Sequence, residues 1–192
     1  MSDEPRPTSN PLATQPSPWV ERFARGVPAG SRVLDLACGH GRHARLFASC
    51  GCQVTAVDSN PACGASLAGL DAIEFMQADL EAAPWPFEGK RFDAIVVVHY
   101  LHRPLFPFIS AALEPRGLLI YETFAVGNEH FGRPRNPDFL LRPRELLDVF
   151  SRLRIIAFED GYVAKPFPAV VQRLAARQLE PDASNPIEAL IL

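Results

Sequence analysis

The feature that most constrains this chain is an apolar run that breaks into a glycine-containing turn, Val33-Leu-Asp-Leu-Ala-Cys-Gly-His-Gly-Arg-His-Ala44. It predicts a buried strand over Arg32 to Leu36, a turn, and a helix from Arg42 to Ser49. Gly39 and Gly41 lack a Cβ, so the backbone there can take a positive φ and pass close to a ligand. The helix would point free N–H groups and its positive dipole end at the turn. Such a turn is typical of a site for the polar part of a nucleotide-like cofactor.

Two kinds of cofactor compete for this turn. Gly39-His-Gly41-Arg-His-Ala44 fits the G-x-G-x-x-G/A pattern of dinucleotide-binding folds. Asp35, however, lies before the first glycine, where its charge would repel a pyrophosphate and attract an ammonium group. Asp58 follows a second predicted strand, Gln53 to Val57, and can accept the hydroxyl groups of a ribose. Asp79, after a third apolar segment, is placed for an adenine edge, so the three acids favour an amino-acid nucleoside.

Each of these residues also has a plainer interpretation. Asp35 could end the strand as a turn former, and Asp58 could cap the helix that follows Pro61. Asp79 could be a solvated loop residue. Cys38 is interpreted as a small packing residue in the turn rather than a redox centre.

The remaining pattern predicts an α/β domain. Strands and helices alternate to about Phe150, as in a parallel sheet that is covered on both faces. Phe92 to Val98 is apolar and rich in β-branched residues, as a central strand should be. Arg154 to Val163 and Ala169 to Leu179 are strand-like and predict a hairpin at the sheet edge. Further elements are predicted as follows: helices at Pro18–Arg25 (capped by Ser17), Leu105–Leu113 and Pro143–Phe150, and a strand at Leu118–Tyr121.

The domain prediction is one globular unit of residues 17–192 after a tail of residues 1–16. The tail contains four prolines among polar residues, a composition that favours disorder. The chain of 192 residues, 47% of them hydrophobic, suits a single core.

Five segments together resemble the class I S-adenosylmethionine-dependent methyltransferases, over about residues 17 to 180. From His99 to Leu146 the chain also resembles small bacterial members near the tellurite-resistance type. The segments are Val33 to Gly41, Val54-Thr-Ala-Val-Asp58, Met76-Gln-Ala-Asp79-Leu80, Phe92-Asp-Ala-Ile-Val-Val-Val98 and Pro115-Arg-Gly-Leu-Leu-Ile-Tyr121.

This resemblance implies a Rossmann-like, mostly parallel seven-stranded sheet with helices on both faces and a C-terminal antiparallel hairpin. It also implies S-adenosyl-L-methionine as the cofactor. The residues expected to bind the methionine end, the ribose and the adenine are Asp35, Ala37, Gly39, Gly41, Asp58, Ser59, Asp79 and Leu80.

Catalysis is expected at the carboxyl ends of the strands, where the strand order reverses. His99, Tyr100 and His102 follow the fourth strand and are the candidate catalytic residues, with Tyr100 first as a pocket wall. The histidines could instead be packing residues. Tyr121 is a candidate for substrate binding, and Tyr121, Glu122 and His130 are further candidates for a base.

The long segment after the fifth predicted strand, Glu122 to Pro137, is hypothesised to be a lid. Arg133 and Arg135 within it could bind an anionic substrate in a two-pronged way. An equally weighted interpretation is a solvated loop with internal ion pairs.

Composition narrows the function classes. The net charge of −3 does not favour nucleic acid, and no apolar run approaches the roughly 20 residues that span a bilayer. Four cysteines without a C-x-x-C pair predict a reduced, cytoplasmic protein with no metal site. We therefore expect methyl transfer to a small-molecule acceptor. A methyltransferase for RNA or protein, a nicotinamide-dependent oxidoreductase and a non-catalytic cofactor-binding module remain as alternatives.

Overall fold

A computed structural model describes residues 15–180. Seven strands form one sheet in the order β3-β2-β1-β4-β5-β7-β6. The strands are β1 (Arg32–Leu36), β2 (Gln53–Asp58), β3 (Ile73–Gln77), β4 (Phe92–Val98), β5 (Leu113–Phe124), β6 (Arg154–Val163) and β7 (Ala169–Arg177). The α-helices are α1 (Pro18–Ala24), α2 (Arg42–Ser49), α3 (Pro61–Leu67), α4 (Phe106–Ala111) and α5 (Glu145–Val149). Most of the predicted tail of residues 1–16 lies outside the described residues.

The five strands β1 to β5 are parallel, and β7 pairs antiparallel with both β5 and β6. Along the chain the sheet grows from β1 through β2 to β3, then restarts with β4 on the other side of β1. The strand order therefore reverses between β1 and β4, and a crevice is expected outside their carboxyl ends. The predicted fold class, with its C-terminal antiparallel hairpin, is confirmed.

Helices cover both faces of the sheet, and each face has its own apolar core. On one face Trp19, Val20 and Phe23 of α1 pack with Phe47 of α2 against β1 and β4. On the other face the core contains Phe92, Ile109, Tyr121, Leu146 and Phe150. Because β4 contributes to both cores, its residues Ala94 to Val98 are buried in one unbroken run. This burial explains the apolar composition of the strand.

The helix α1 begins as predicted. The Ser17 side chain accepts a hydrogen bond from Trp19 N at 3.1 Å, and Pro18 occupies the first helical position. The helix α3 is capped by Asn60, which accepts from Ala62 N, so Asp58 is not its cap.

Several predicted boundaries differ from the structure, most of all those of α4, β5 and α5. The helix predicted over Leu105 to Leu113 is shorter, because Leu113 pairs with Phe92 and starts β5. The strand β5 is correspondingly longer than predicted. The helix α5 begins only at Glu145, because Arg144 has a φ of 64°, outside the helical region. Among residues 15–180 no helix is both long and apolar enough to cross a bilayer.

Candidate active site

The turn between β1 and α2 uses its two glycines for different purposes. Both have positive φ, 53° at Gly39 and 76° at Gly41. A Cβ added to Gly39 would meet no atom within 4 Å, whereas one added to Gly41 would collide with the side chain of Leu67 in α3. Gly39 therefore faces open space, and Gly41 allows α2 and α3 to pack closely.

Asp35 lies at the carboxyl end of β1 and is 1% exposed. Its Oδ2 atom accepts a hydrogen bond from Ala44 N in α2 at 2.9 Å. Burial raises the pKa of Asp35 to about 7, and the nearby charge of Asp58 adds to this, whereas Ala44 N–H and Arg42 act in the opposite direction. A cation bound beside Asp35 would stabilise the ionised form of this buried carboxyl group.

Asp58 orders the turn as well as facing the crevice. Its Oδ2 atom accepts from Gly39 N at 2.9 Å, and its Oδ1 atom accepts from Asn60 N at 2.9 Å. A carboxylate oxygen can accept more than one hydrogen bond, so both oxygens retain capacity for a ligand. The carboxylate thus links the end of β2 to the glycine turn while leaving acceptor sites open.

The first cavity at this edge, which we call the Asp58 cleft, has a volume of about 190 Å3. Asp79 stands on its far side, where its Oδ1 atom accepts from Glu81 N at 2.9 Å and Ala82 N at 3.1 Å. The cleft is lined by Ala37, Asp58, Ser59, Ala78, Asp79, Leu80, Glu81 and Tyr100. Five of the eight residues predicted to bind a cofactor line this cleft, and the other three belong to β1 and the adjoining turn.

Tyr100 forms one wall of the Asp58 cleft. Its hydroxyl group is buried and has no hydrogen-bond partner among the described residues. Burial raises the pKa of Tyr100 above its ordinary value, and Glu81 and Asp79 add to the shift. The phenol therefore stays protonated near neutral pH and is suited to a wall or a hydrogen-bond donor, not to a base.

His99, the preceding residue, faces a different environment. Its backbone has a φ of 57°, and its ring stacks on Phe124 with 4.7 Å between the centroids. Burial lowers the pKa of His99 to about 4, with further contributions from Arg42 and Arg173. The ring is therefore neutral at pH 7.

The contacts of His99 assign its tautomer. Arg42 Nη2 lies 3.4 Å from Nδ1, and a guanidinium can only donate, so Nδ1 is the acceptor. The proton then sits on Nε2, which lies 3.9 Å from Glu122 Oε1. The basic nitrogen of His99 is already engaged by Arg42.

A second cavity lies next to His99, and we call it the Glu122 cavity. Its volume is about 30 Å3, and it is roofed by the start of α1 and the connection between β6 and β7. It is lined by Pro16, Ser17, Pro18, Arg42, His99, Glu122, Val163, Pro166, Phe167, Ala169, Val171 and Arg173. His99 and Tyr100 are consecutive, so this segment separates the two cavities.

Glu122 carries a buried carboxylate at the floor of the Glu122 cavity. Its Oε2 atom accepts from Ser17 Oγ at 2.6 Å and lies 3.2 Å from Arg173 Nε. Arg173 also contacts Glu159, whose Oε2 atom accepts from Nη1 at 3.0 Å. The floor therefore combines one carboxylate with two guanidinium groups, those of Arg42 and Arg173.

Three contributors to this site are absent from the sequence prediction. Arg42 and Arg173 lie within predicted elements, where only the tertiary structure turns them toward the cavity. His43 is buried, and its Nε2 atom accepts from Ser17 N at 3.2 Å, which holds α1 on α2. Burial lowers the pKa of His43 to about 3. The sequence signal that could have indicated this contact was the presence of a histidine, His43, in the first turn of the predicted helix.

Other predicted residues lie away from both cavities. Tyr121 is 1% exposed in the core, where its hydroxyl donates to Tyr100 O at 2.9 Å, so it supports Tyr100 instead of lining a cavity. His102 precedes a 3-10 turn, Arg103–Leu105, and lines neither cavity. Arg133 and Arg135 are exposed and also line neither cavity.

A glycine turn, three acids at the ends of neighbouring parallel strands, and a cleft where the strand order reverses define a Rossmann-like protein with a nucleotide-type cofactor site. A family model described as a methyltransferase domain matches residues 33–117, the part of the chain that contains these features.

Two relatives with similar sequences are also named methyltransferases. The chain is 36% identical over 118 residues to a demethylmenaquinone methyltransferase of Clavibacter sepedonicus, covering 56% of this chain and 47% of that protein. It is 40% identical over 113 residues to a trans-aconitate 2-methyltransferase of Paracidovorax citrulli, covering 53% and 42%. The chain thus spans less than half the length of these relatives. The crystal structure of TehB from Haemophilus influenzae superimposes with a TM-score of 0.69 at 20% identity, covering 83% of this chain and 61% of TehB.

Residues 33–117 thus match a methyltransferase domain, and the chain is similar to the class I S-adenosylmethionine-dependent methyltransferases, the resemblance that the sequence predicted.

Proposed function

We propose that the protein transfers a methyl group from S-adenosylmethionine to a small-molecule acceptor. The observation that carries this proposal is the position of Asp35, Asp58 and Asp79 around one continuous edge that holds the glycine turn and the Asp58 cleft. An ammonium group, a ribose and an adenine each call for one such acidic or polar contact, and one donor molecule contains all three.

In this proposal Asp35 binds the ammonium group of the methionine part. Asp58 accepts the ribose hydroxyls through the lone pairs that Gly39 N and Asn60 N leave open. Asp79 and Leu80, with Ser59 and Ala37, border the adenosine. Gly39 and Gly41 keep the turn close enough for these contacts.

S-adenosylmethionine supplies a methyl group on a positively charged sulfur, so the leaving group is already activated. The protein then contributes alignment, which is worth several kcal/mol of a reaction barrier. The His99–Tyr100 segment lies between the two cavities, so the methyl group would cross it from the Asp58 cleft to an acceptor in the Glu122 cavity. Of the three candidate catalytic residues, Tyr100 is best placed as a wall, while His102 has no contact that supports a role.

A small acceptor is supported by two observations. The Glu122 cavity is enclosed by the start of α1 and by the connection between β6 and β7. The relatives are named for small substrates, demethylmenaquinone and trans-aconitate. A polymer acceptor would need a wider entrance, and strong salt dependence of binding would then favour RNA.

The lid hypothesis concerns Glu122 to Pro137, and because β5 continues to Phe124 it applies to residues 125–137. Arg103 anchors the chain just beyond this segment by donating to Asp138 O at 2.7 Å and Leu140 O at 2.9 Å, and to Glu145 Oε1 at 2.6 Å. If residues 125–137 close over the acceptor, replacing Arg133 and Arg135 by alanine raises the KM for the acceptor. An unchanged KM would remove both arginines from the substrate site.

Titration calorimetry with S-adenosylhomocysteine and with NAD tests the proposal. We expect the former to bind and the latter not to bind. The double variant Asp35→Asn, Asp58→Asn should lose at least about 100-fold in affinity, since it removes two charge-assisted contacts. Asp71→Asn, a change of the same type at an exposed turn, is the control. Binding of NAD alone, or full affinity in the double variant, would refute the assignment.

A further inference from the structure

The chemistry of the Glu122 cavity narrows the class of acceptor, an inference that rests on the function proposed above. The walls of the cavity are mainly apolar, from prolines, valines and Phe167, while its floor carries Glu122, Arg42 and Arg173. Such a cavity suits a compact apolar molecule with one polar group directed at the floor.

The floor contains both a proton acceptor and cations. Glu122 Oε1 lies 3.9 Å from His99 Nε2, which is too far for a hydrogen bond, whereas Oε2 is engaged by Ser17. Arg42 and Arg173 both act electrostatically on His99, so both guanidinium groups lie close to the point where His99 faces the cavity. A group that donates a proton to Glu122 and becomes negative would be stabilised there by two positive charges.

His99 is poorly suited to take that proton. Its Nδ1 atom accepts from Arg42, and its Nε2 atom already carries a proton. Glu122 is the remaining group at the floor that can accept a proton, since a guanidinium cannot.

We propose that the acceptor is a small apolar molecule with an acidic hydroxyl group, a phenol or an enol, and that Glu122 removes its proton. The proton moves from the acceptor oxygen to Glu122 Oε1. The electron pair of that oxygen forms the new O–C bond to the methyl group, and the electron pair of the broken S–C bond stays on sulfur. The products are the methyl ether, S-adenosylhomocysteine and one proton, which Glu122 releases to solvent.

Other acceptor types fit the floor less well. A carboxylate acceptor needs no base, so it would leave Glu122 without a chemical role, while an ammonium acceptor would be repelled by Arg42 and Arg173. Entry of a ring needs more room than about 30 Å3. The connection between β6 and β7, residues 164–168, is exposed at four of its five positions and is the part of the roof with the least packing to lose.

The test compares Glu122→Gln with the unchanged protein on two acceptors of different acidity, at about pH 8. At this pH phenol keeps its proton in solution, whereas para-nitrophenol is largely ionised. We expect Glu122→Gln to lower kcat by about 100-fold for phenol and by less than about 10-fold for para-nitrophenol, because an ionised acceptor needs no base. A role of Glu122 in structure alone would lower both rates equally.

Two matched variants complete the design. Glu159→Gln removes the other partner of Arg173 outside the cavity and should leave both rates within about twofold. Ser17→Ala removes the hydrogen bond to Glu122 and should not alter the dependence on acceptor acidity. Binding of S-adenosylhomocysteine to each variant confirms that the fold and the cofactor site are intact.

Equal losses for both phenols would overturn the assignment of Glu122. Turnover of carboxylic acids or amines with no turnover of any phenol or enol would overturn the acceptor class. In either case S-adenosylhomocysteine would still bind, and the proposed methyl transfer would stand. Loss of that binding in the unchanged protein would instead refute the proposed function itself.

Discussion

At the scale of single residues, the state of Asp35 makes cofactor binding depend on pH. Burial raises the pKa of this carboxyl to about 7 in the free protein, but pairing with an ammonium group requires the ionised form. As the pH falls through about 7, a growing fraction of Asp35 is protonated and must lose its proton on binding. We expect the affinity for S-adenosylhomocysteine to fall by up to about 10-fold per pH unit between pH 7 and pH 5.5.

Calorimetry in buffers of different ionisation enthalpy measures this proton release directly. The histidines of the site do not obscure it, because the pKa values of His43 and His99, about 3 and about 4, lie below the window. Asp35→Asn should bind weakly and with little pH dependence. The same pH dependence in that variant would show that another group is responsible.

The two glycines of the turn should respond differently to alanine. Both substitutions impose a positive φ on a residue with a Cβ, which costs about 1–2 kcal/mol. Gly41→Ala also forces a methyl group into Leu67, so it should destabilise the fold more than Gly39→Ala. Gly39→Ala should chiefly weaken the binding of S-adenosylhomocysteine, because the added Cβ would occupy the open space on the ligand side of the turn.

Denaturant unfolding and calorimetry separate the two effects. The double variant Gly41→Ala, Leu67→Ala should be more stable than the sum of the single changes by about 1 kcal/mol or more, since the smaller side chain relieves the collision. Additive losses, or a larger binding defect in Gly41→Ala than in Gly39→Ala, would contradict this division of roles.

The sequence predicted the positions of these glycines and acids but not their separate roles. Spacing placed Gly39 and Gly41 in one motif, whereas only the packing of α3 assigns Gly41 to Leu67. Tyr121 was expected at the substrate because it ends an apolar strand segment. Successive residues of a strand point to opposite faces, so Tyr121 enters the core while Glu122 reaches the cavity.

At the scale of elements, His43 couples the attachment of α1 to pH. Burial keeps its ring neutral, with a pKa of about 3 against 6.5 for a solvated histidine. Between these values the unfolded chain binds a proton that the folded protein does not, so this contribution to stability is complete above about pH 6.5 and is lost as the pH falls toward 3.

His43→Gln should remove this contribution, because a glutamine oxygen can accept from Ser17 N without binding a proton. We expect the slope of the unfolding free energy against pH to fall by about 1.4 kcal/mol per pH unit within that window. His99 and Asp35 titrate in both proteins, so they cancel in the difference. His130→Gln, at a side chain that is 79% exposed, is the control, and an equal change there would contradict the prediction.

The central strands β1 and β4 were predicted more accurately than the helices α4 and α5, for a physical reason. The strand β1 and the helix α2 have the predicted bounds, and β4 does as well. A strand that is buried on both faces needs apolar residues at almost every position, and such a run is recognisable in the sequence without any knowledge of the tertiary structure. The lengths of α4 and α5 depend instead on Leu113 joining the sheet and on the φ of Arg144, and neither is visible in local periodicity.

At the scale of the whole molecule, the reversal of strand order separates the two ligands of the proposed reaction. The Asp58 cleft is built by the ends of β1 and β2 and the segment after β3, whereas the Glu122 cavity is built by β5, the end of β6, β7, the connection between β6 and β7, the start of α1 and Arg42 of α2. The His99–Tyr100 segment after β4 joins the two, because His99 lines the Glu122 cavity and Tyr100 lines the Asp58 cleft. The amino-terminal strands are therefore expected to set cofactor affinity, and the carboxy-terminal hairpin to set acceptor affinity.

Phe167 provides a test of this division. It lies in the roof of the Glu122 cavity, with its ring centroid 6.4 Å from that of His99. Phe167→Ala should raise the KM for a phenol by about 10-fold, the equivalent of one lost aromatic contact of about 1.4 kcal/mol, and leave the Kd of S-adenosylhomocysteine unchanged. Asp79→Asn should do the reverse, because it lies in the Asp58 cleft. If Phe167→Ala weakened the binding of the phenol and of S-adenosylhomocysteine equally, the hairpin would stabilise the whole site. Acceptor recognition would then have to depend on other residues along the sheet edge.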